Sequence, residues 1–143
     1  MSAQDNAALA RRVYEAFNFR DYAAALALAG DDVELLIVPF NRRYHGKEGL
    51  EAFMRGVVAG FDDMGMHLTN QVADAHHVVN EFIARGTHTG ALLLPEGPIA
   101  ATGRVVEYPA IDVWRVRRGK LTGLYSYFDA ATLRRQLEMQ WKT

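Results

Sequence analysis

The segment Arg104-Val-Val-Glu-Tyr-Pro-Ala-Ile-Asp-Val-Trp-Arg-Val116 decides the fold class. If it forms a β-strand, its side chains point to the two faces of a sheet in turn. Alternation with a period of two is typical of a β-strand that buries one face. It places Asp112 on the same face as Tyr108 and Trp114. A carboxylate among apolar groups is costly unless it is hydrogen-bonded or hydrated. The segment therefore predicts a strand whose inner face reaches a polar contact or a pocket.

Three further stretches in the second half of the chain also predict strands. They are His67–Asp74, Val78–Ala91 and Leu121–Phe128. Arg117-Arg-Gly-Lys120 predicts a hairpin turn, with its glycine at the position that tolerates a positive φ. Pro95-Glu-Gly-Pro98 predicts a loop that breaks the longest strand pair.

The first half of the chain predicts helices. Apolar residues recur every four positions and indicate one face of a helix over about residues 4–18. These positions are Leu9, Val13 and Phe17. A second helix is expected over Ala23–Ala29, with Asp21 as its N-cap and Gly30 as its stop.

The remaining elements are a buried strand, a loop and two helices. Val33–Val38 predicts the strand, which ends at Pro39, and residues 40–46 predict a loop. A third helix presents Leu50 and Phe53 on one face and ends at Gly60. Asp129 is expected to cap a last helix over Ala130–Trp141.

Helices early in the chain and strands late in the chain indicate an α+β fold. We expect a curved antiparallel sheet covered on one face by the N-terminal helices. Such a sheet forms a cone, and the open end of a cone is a natural pocket for a small molecule. The 143 residues predict a single domain over 1–143.

Composition narrows the classes of function. The net charge is −1 and there is no cysteine. The charge argues against nucleic-acid binding, and the lack of cysteine excludes thiolate chemistry and fits a cytoplasmic protein. The sequence carries no secretory signal or membrane-spanning run. The adjacent histidines His76 and His77 lack a third ligand, so no metal or cofactor is expected.

His88 and Asp112 are the candidate proton-transfer groups. His88 follows Phe82, Ala84 and Gly86 at every second position, so in a strand it is expected to share their face. Asp112 is either a structural carboxylate or a pocket acid whose pKa is raised by apolar walls. His88 is either a proton-transfer group or a structural histidine in the core or at its rim whose hydrogen bonds are satisfied.

The chain resembles the SnoaL-like polyketide cyclases, within the nuclear transport factor 2-like superfamily of cone-shaped α+β folds. The resemblance covers nearly the whole length. It rests on Val13-Tyr-Glu-Ala-Phe-Asn18, Tyr44-His-Gly46, Arg85-Gly-Thr-His-Thr-Gly90, Ile111-Asp-Val-Trp-Arg115 and Tyr127-Phe-Asp129. It implies cofactor-free acid–base catalysis on a hydrophobic substrate, such as an intramolecular aldol ring closure, in a homodimer that pairs through the outer sheet face.

The chain departs from the related enzymes at several aligned positions. The cyclases and the epoxide hydrolases have an acidic residue where this chain has Ser126. The steroid isomerases have a carboxylate near Val38 or Pro39. The epoxide hydrolases use Asp-Arg-Asp, of which only Arg85 is kept here, because Thr87 and Ser126 replace the acids.

The sequence therefore favours a cofactor-independent cyclase or isomerase in which Asp112 is the general acid and base and His88 is its partner. Six residues are expected to line the pocket and contact the substrate: Tyr14, Phe17, Phe53, Trp114, Ser126 and Arg85. The alternative is a non-catalytic domain of the same fold that binds a small molecule or dimerises.

Overall fold

The computed structural model describes residues 2–138. The helices are α1 (Ala3–Asn18), α2 (Tyr22–Ala27), α3 (Gly46–Gly60) and α4 (Ala130–Glu138), with a 3-10 turn at Val38–Phe40. The strands are β1 (Ala29–Ile37), β2 (Arg42–His45), β3 (Gly65–Ala73), β4 (His77–Thr87), β5 (Leu92–Leu94), β6 (Gly97–Ile99), β7 (Val105–Arg117) and β8 (Lys120–Phe128).

Six strands form one curved sheet in the order β2-β1-β8-β7-β4-β3, and β5 and β6 form a separate hairpin. The α+β class is confirmed. One detail of the expected sheet is wrong, because β1 runs parallel to β8 while every other neighbouring pair is antiparallel. The sheet is therefore mixed, and its parallel pair joins the two halves of the chain.

The helices pack on the inner face of the sheet. In β7 the buried residues alternate with exposed ones over most of the strand, as the period of two predicted. From α1, Leu9, Val13 and Phe17 enter the same core. Ser2 begins α1 with a capping box, in which its side chain and that of Asp5 each accept from the other residue's backbone N–H.

Several element boundaries differ from the expectation. The second helix ends at Ala27, and Gly30 is already part of β1. The segment expected as a loop contains β2, because Arg42 to His45 pair with β1. The long strand that begins near Val78 ends at Thr87, and β5 and β6 form beyond it. The final positions expected in the last helix, 139–141, lie outside the described residues.

The chain that follows β4 passes very close to the end of α3. The backbone N–H groups of Thr89 and Gly90 both donate to the Gly60 carbonyl, at 3.0 and 3.2 Å. A Cβ at residue 90 would lie 1.9 Å from the Ala59 carbonyl oxygen. Only glycine fits there, so this crossing fixes where the β5–β6 hairpin begins. Within the described residues, no helix is long and apolar enough to cross a membrane.

Candidate functional site

Asp112 projects from β7 into the space between the sheet and the helices. It is 5% exposed, and its register neighbours are Asn80 on β4 and Ser126 on β8. Burial raises the pKa of the Asp112 carboxyl from 3.8 to about 6, although contacts with Tyr14 and Ser126 oppose the shift. The group is therefore poised to change its charge near neutral pH.

A hydrogen-bonded chain orients this carboxylate. The Trp114 indole N–H donates to the Tyr14 hydroxyl oxygen at 2.9 Å. The Tyr14 hydroxyl in turn donates to Asp112 Oδ2. Burial raises the pKa of Tyr14 well above its ordinary value, and the charge of Asp112 adds to the shift. Tyr14 thus remains a neutral donor throughout the neutral pH range.

The second carboxylate oxygen of Asp112 has a different environment. Among the described residues, Oδ1 has no hydrogen-bond partner, and neither does the side-chain amide of Asn80, which is fully buried. Buried polar atoms almost always find partners in folded proteins. The inner end of the site thus retains hydrogen-bonding capacity that the rest of the described protein does not use.

The cavity in front of Asp112 has two adjoining parts. The inner end has a volume of about 60 Å³ and contains Asp112. The outer chamber has a volume of about 210 Å³, and residues of α4 and of the β5–β6 hairpin form part of its wall. Both parts are lined by Phe53, Met66, Phe82 and Ser126. The two parts therefore adjoin at these four side chains.

Most of the expected wall residues do line this cavity. Tyr14, Phe17, Trp114 and Ser126 surround the inner end, and Phe53 belongs to both parts. These residues come from four elements, α1, α3, β7 and β8.

Arg85 was expected at the cavity, and the structure places it elsewhere. It lies on the outer face of β4, and its Nη1 is 3.5 Å from Glu107 Oε1 on β7. Its side chain is 63% exposed. Strand alternation explains the error, because Ala84 and Gly86 on either side of it are the residues that face inward.

His88 does not meet Asp112, so the structure does not support the expected pairing. Asp112 lies opposite Asn80, whereas His88 follows the far end of β4. His88 comes eight positions after Asn80, which corresponds to about 27 Å along an extended strand. His88 is also absent from the residues that line either part of the cavity.

His88 instead joins the end of β4 to the segment that returns before β7. Its Nδ1 accepts from the Thr102 backbone N–H at 3.2 Å and lies 3.0 Å from the Thr102 hydroxyl. Its ring packs against Phe61 at a centroid distance of 5.4 Å. The residue is fully buried, and burial lowers the pKa of its imidazole. These contacts describe a neutral histidine that holds two chain segments together.

The sequence alone missed three contributors to the site. Phe82 and Met66 line both parts of the cavity, and Asn80 is the neighbour of Asp112 in the strand register. The sequence did contain a clue to Asn80. It is two positions from both Val78 and Phe82, so a strand places all three on the same face, as it does Asp112 with Ala110 and Trp114. Within residues 2–138, no group of three histidine, cysteine or acidic side chains could hold a metal ion.

A comparison with protein families finds a match to the model of the SnoaL-like domain over residues 10–124. No curated protein matches the sequence closely enough to count as a relative. The match runs from the middle of α1 to the middle of β8, and it therefore includes the strand that carries Asp112.

Solved structures of the same fold are numerous. A protein from Jannaschia sp. CCS1 named a SnoaL-like polyketide cyclase superposes with a TM-score of 0.84 at 16% identity, covering 95% of this chain and 93% of its own. One from Pseudomonas putida KT2440, named a polyketide cyclase, has a TM-score of 0.76 at 28% identity, with coverages of 95% and 98%.

A third relative is named for a different reaction. AclR from Streptomyces galilaeus, named as a hydroxylase, has a TM-score of 0.79 at 17% identity and covers 97% of this chain and 83% of its own. The names given to proteins of this fold thus refer to more than one reaction. With the family match over most of its length, this chain belongs to the family of SnoaL-like domains.

Proposed function

We propose that this protein is a cofactor-independent acid–base enzyme that acts on a hydrophobic small molecule carrying a carbonyl group. The observation that carries the proposal is Asp112, a buried carboxylate with a pKa raised to about 6 beside an apolar cavity. General bases work best when their pKa lies near the working pH. Tyr14 holds Oδ2, which leaves Oδ1 to exchange a proton with a substrate.

The proposed reaction needs only this one titrating group. At pH 7 a carboxyl with this pKa is ionised in about nine of ten molecules. Asp112 would take a proton from the carbon next to the substrate carbonyl, which leaves an enolate. In a ring closure the enolate carbon attacks a second carbonyl of the same molecule, and the resulting alkoxide takes the proton back from Asp112. The carboxylate is regenerated, and no other reactant is consumed.

The names of the relatives favour the ring closure over a simple double-bond shift. Two of the compared structures are named polyketide cyclases, and one of these shares 28% of its residues with this chain. The cyclisation remains a proposal for this chain, because the serine at position 126 offers no second acid. Asp112 would have to serve both proton transfers.

The proton abstraction can be tested without the natural substrate. We suggest 2-tetralone in D₂O, with deuterium exchange at its activated carbon followed by proton NMR. Native protein should accelerate the exchange, and the rate should rise with pH, with its midpoint at about pH 6. Asp112→Asn should lower the enzymatic rate about a hundredfold or more. Asp31→Asn removes an exposed carboxylate and should leave the rate unchanged. Full activity in Asp112→Asn would refute the assignment.

A non-catalytic binding protein is the second candidate. The observation that favours it is that Asp112 is the single carboxylate among the described residues that line the cavity. In that case 2-tetralone would bind without any accelerated exchange. Asp112→Asn would then bind it at least as tightly, because the replacement removes a charge from an apolar site.

We also propose that the protein forms a homodimer through the outer face of its sheet. Apolar side chains lie in adjacent registers there, including Val79, Val113 and Tyr125. Ile111 and Tyr127 on the same face are 41% and 42% exposed. Large apolar side chains grouped on one exposed face are typical of a protein contact surface.

A further inference from the structure

Most of the described side chains that line the outer chamber of the cavity are apolar. Among the described residues that line it, Arg42 is the one with a charged side chain. Arg42 lies on β2, where alternate residues are half-buried and exposed, and it is one of the half-buried ones. The arginine side chain is a cation in proteins. The chamber therefore presents a permanent positive charge to any ligand that enters it.

The guanidinium of Arg42 is held in place without being neutralised. It stacks over the Phe40 ring at 5.6 Å from the ring centroid. Its Nη2 donates to the Leu93 carbonyl of the β5–β6 hairpin at 3.2 Å. No carboxylate of residues 2–138 forms an ion pair with it. Arginine has five N–H donors, and the contacts within the described residues use one of them.

A second arginine at the same ring makes a useful contrast. Arg134 lies 5.9 Å from the Phe40 centroid, and its Nη2 contacts Glu96 Oε1 at 2.8 Å. One of the two guanidiniums at this ring is therefore paired with a carboxylate and the other is not. Among the described residues, the charge of Arg42 in the outer chamber is therefore not balanced by an ion pair.

The two charged side chains among the described cavity-lining residues lie in different parts of the cavity. Asp112 belongs to the inner end and Arg42 to the outer chamber. An anion would be repelled by the ionised Asp112 and attracted by Arg42, so an anionic ligand enters with its neutral end inward. A cavity of about 150 Å³ accommodates benzene, and the outer chamber has about 210 Å³. The body of the ligand is then limited to one or two rings.

We propose that Arg42 selects substrates that carry a carboxylate at the end opposite the reacting carbonyl. Guanidinium and carboxylate match in geometry, and charge-assisted hydrogen bonds are about twice as strong as neutral ones. The substrate class is a small aromatic or alicyclic acid with one or two rings. This inference rests on the proposed function for the position of the reacting carbonyl, while the recognition of the anion depends on Arg42 alone.

The test compares two probes of the same shape, naphthalene-2-carboxylate and naphthalene-2-carboxamide, by calorimetry at pH 8. Native protein should bind the carboxylate at least about tenfold more tightly than the carboxamide, as a hydrogen bond to a charged group implies. Arg42→Gln should abolish this preference and change carboxamide binding by less than about twofold. Arg43→Gln is the matched control, because it removes the same charge from the adjacent, exposed residue of β2.

Three results would overturn the inference. The first is equal affinity of native protein for the two probes, and the second is no binding of either probe up to its solubility. The third is an equal loss of both affinities in Arg42→Gln, which would mean that Arg42 only holds the hairpin through Leu93. Failure of the deuterium-exchange test with an intact carboxylate preference would reject Asp112 as a base and leave this site standing. Successful deuterium exchange without a preference for the carboxylate probe would reject only the anion site.

Discussion

Replacing Asp112 with asparagine should stabilise the protein at alkaline pH while it removes the proposed activity. The folded protein raises the pKa of this carboxyl from 3.8 to about 6. A difference of about two units corresponds to about 3 kcal/mol by which folding disfavours the ionised form. Asparagine has nearly the same shape and keeps an oxygen that can accept from Tyr14, but it carries no charge to bury.

The sign of the pH dependence follows from the direction of the shift. Below about pH 4 the carboxyl is protonated in both the folded and the unfolded chain, so it adds no ionisation cost. Between about pH 4 and 6 only the unfolded chain releases its proton, and stability falls by up to about 1.4 kcal/mol per pH unit. Above about pH 6 the full cost of about 3 kcal/mol is present.

Urea unfolding of both proteins at pH 4, 5, 6, 7 and 8 measures this effect. The difference in free energy of unfolding between Asp112→Asn and native protein should grow in favour of the variant from pH 4 to about pH 6 and then level off. Subtracting the two curves cancels every other titrating group. Asp31→Asn, at an exposed site, should give a nearly flat difference. A flat difference for Asp112→Asn, or one that favours native protein more strongly at high pH, would refute a raised pKa.

Three further predictions concern other parts of the structure. Tyr14→Phe removes a hydrogen bond that lowers the pKa of Asp112, so the midpoint of the exchange rate should move above about 6, and an unchanged midpoint would contradict the contact. Gly90→Ala should destabilise the fold by about 1–3 kcal/mol in urea unfolding, because its Cβ would clash with a backbone carbonyl of α3. As its control, Gly56→Ala places a Cβ in open space within α3 and should stabilise by up to about 1 kcal/mol. Tyr127→Glu should convert the proposed dimer to a monomer in light scattering, and a mass that stays at two chains would contradict the proposed interface.

Local patterns were sufficient where a side chain's position depends only on its own element. The alternation of Arg104–Val116 identified β7 and the inward direction of Asp112. The four-residue spacing in α1 put Phe17 in the core. In each case one face of one element is buried, and the period of that element fixes which residues share the face.

The pairing of distant residues could not be obtained in this way. Tyr14 and Asp112 are 98 positions apart, and their contact depends on how α1 crosses the sheet. His88 is buried, as its place in the alternation predicted, but periodicity does not tell how far along the strand it lies from Asp112. Arg42 lay in a segment expected as a loop, because the strand there exists only through its pairing with β1. Tertiary packing, rather than local propensity, determines these features.

The parallel contact between β1 and β8 has a consequence for the order in which the chain folds. In this pair Leu35 lies opposite Leu124, which is synthesised far later. Until the β7–β8 hairpin forms, β1 lacks its inner neighbour, and the helices of the first half have only part of a sheet to cover. Pairings between distant segments close slowly because chain entropy must be lost before the contacts form. A nascent chain that stops before Lys120 should therefore expose apolar surface and depend on rapid completion or on chaperones.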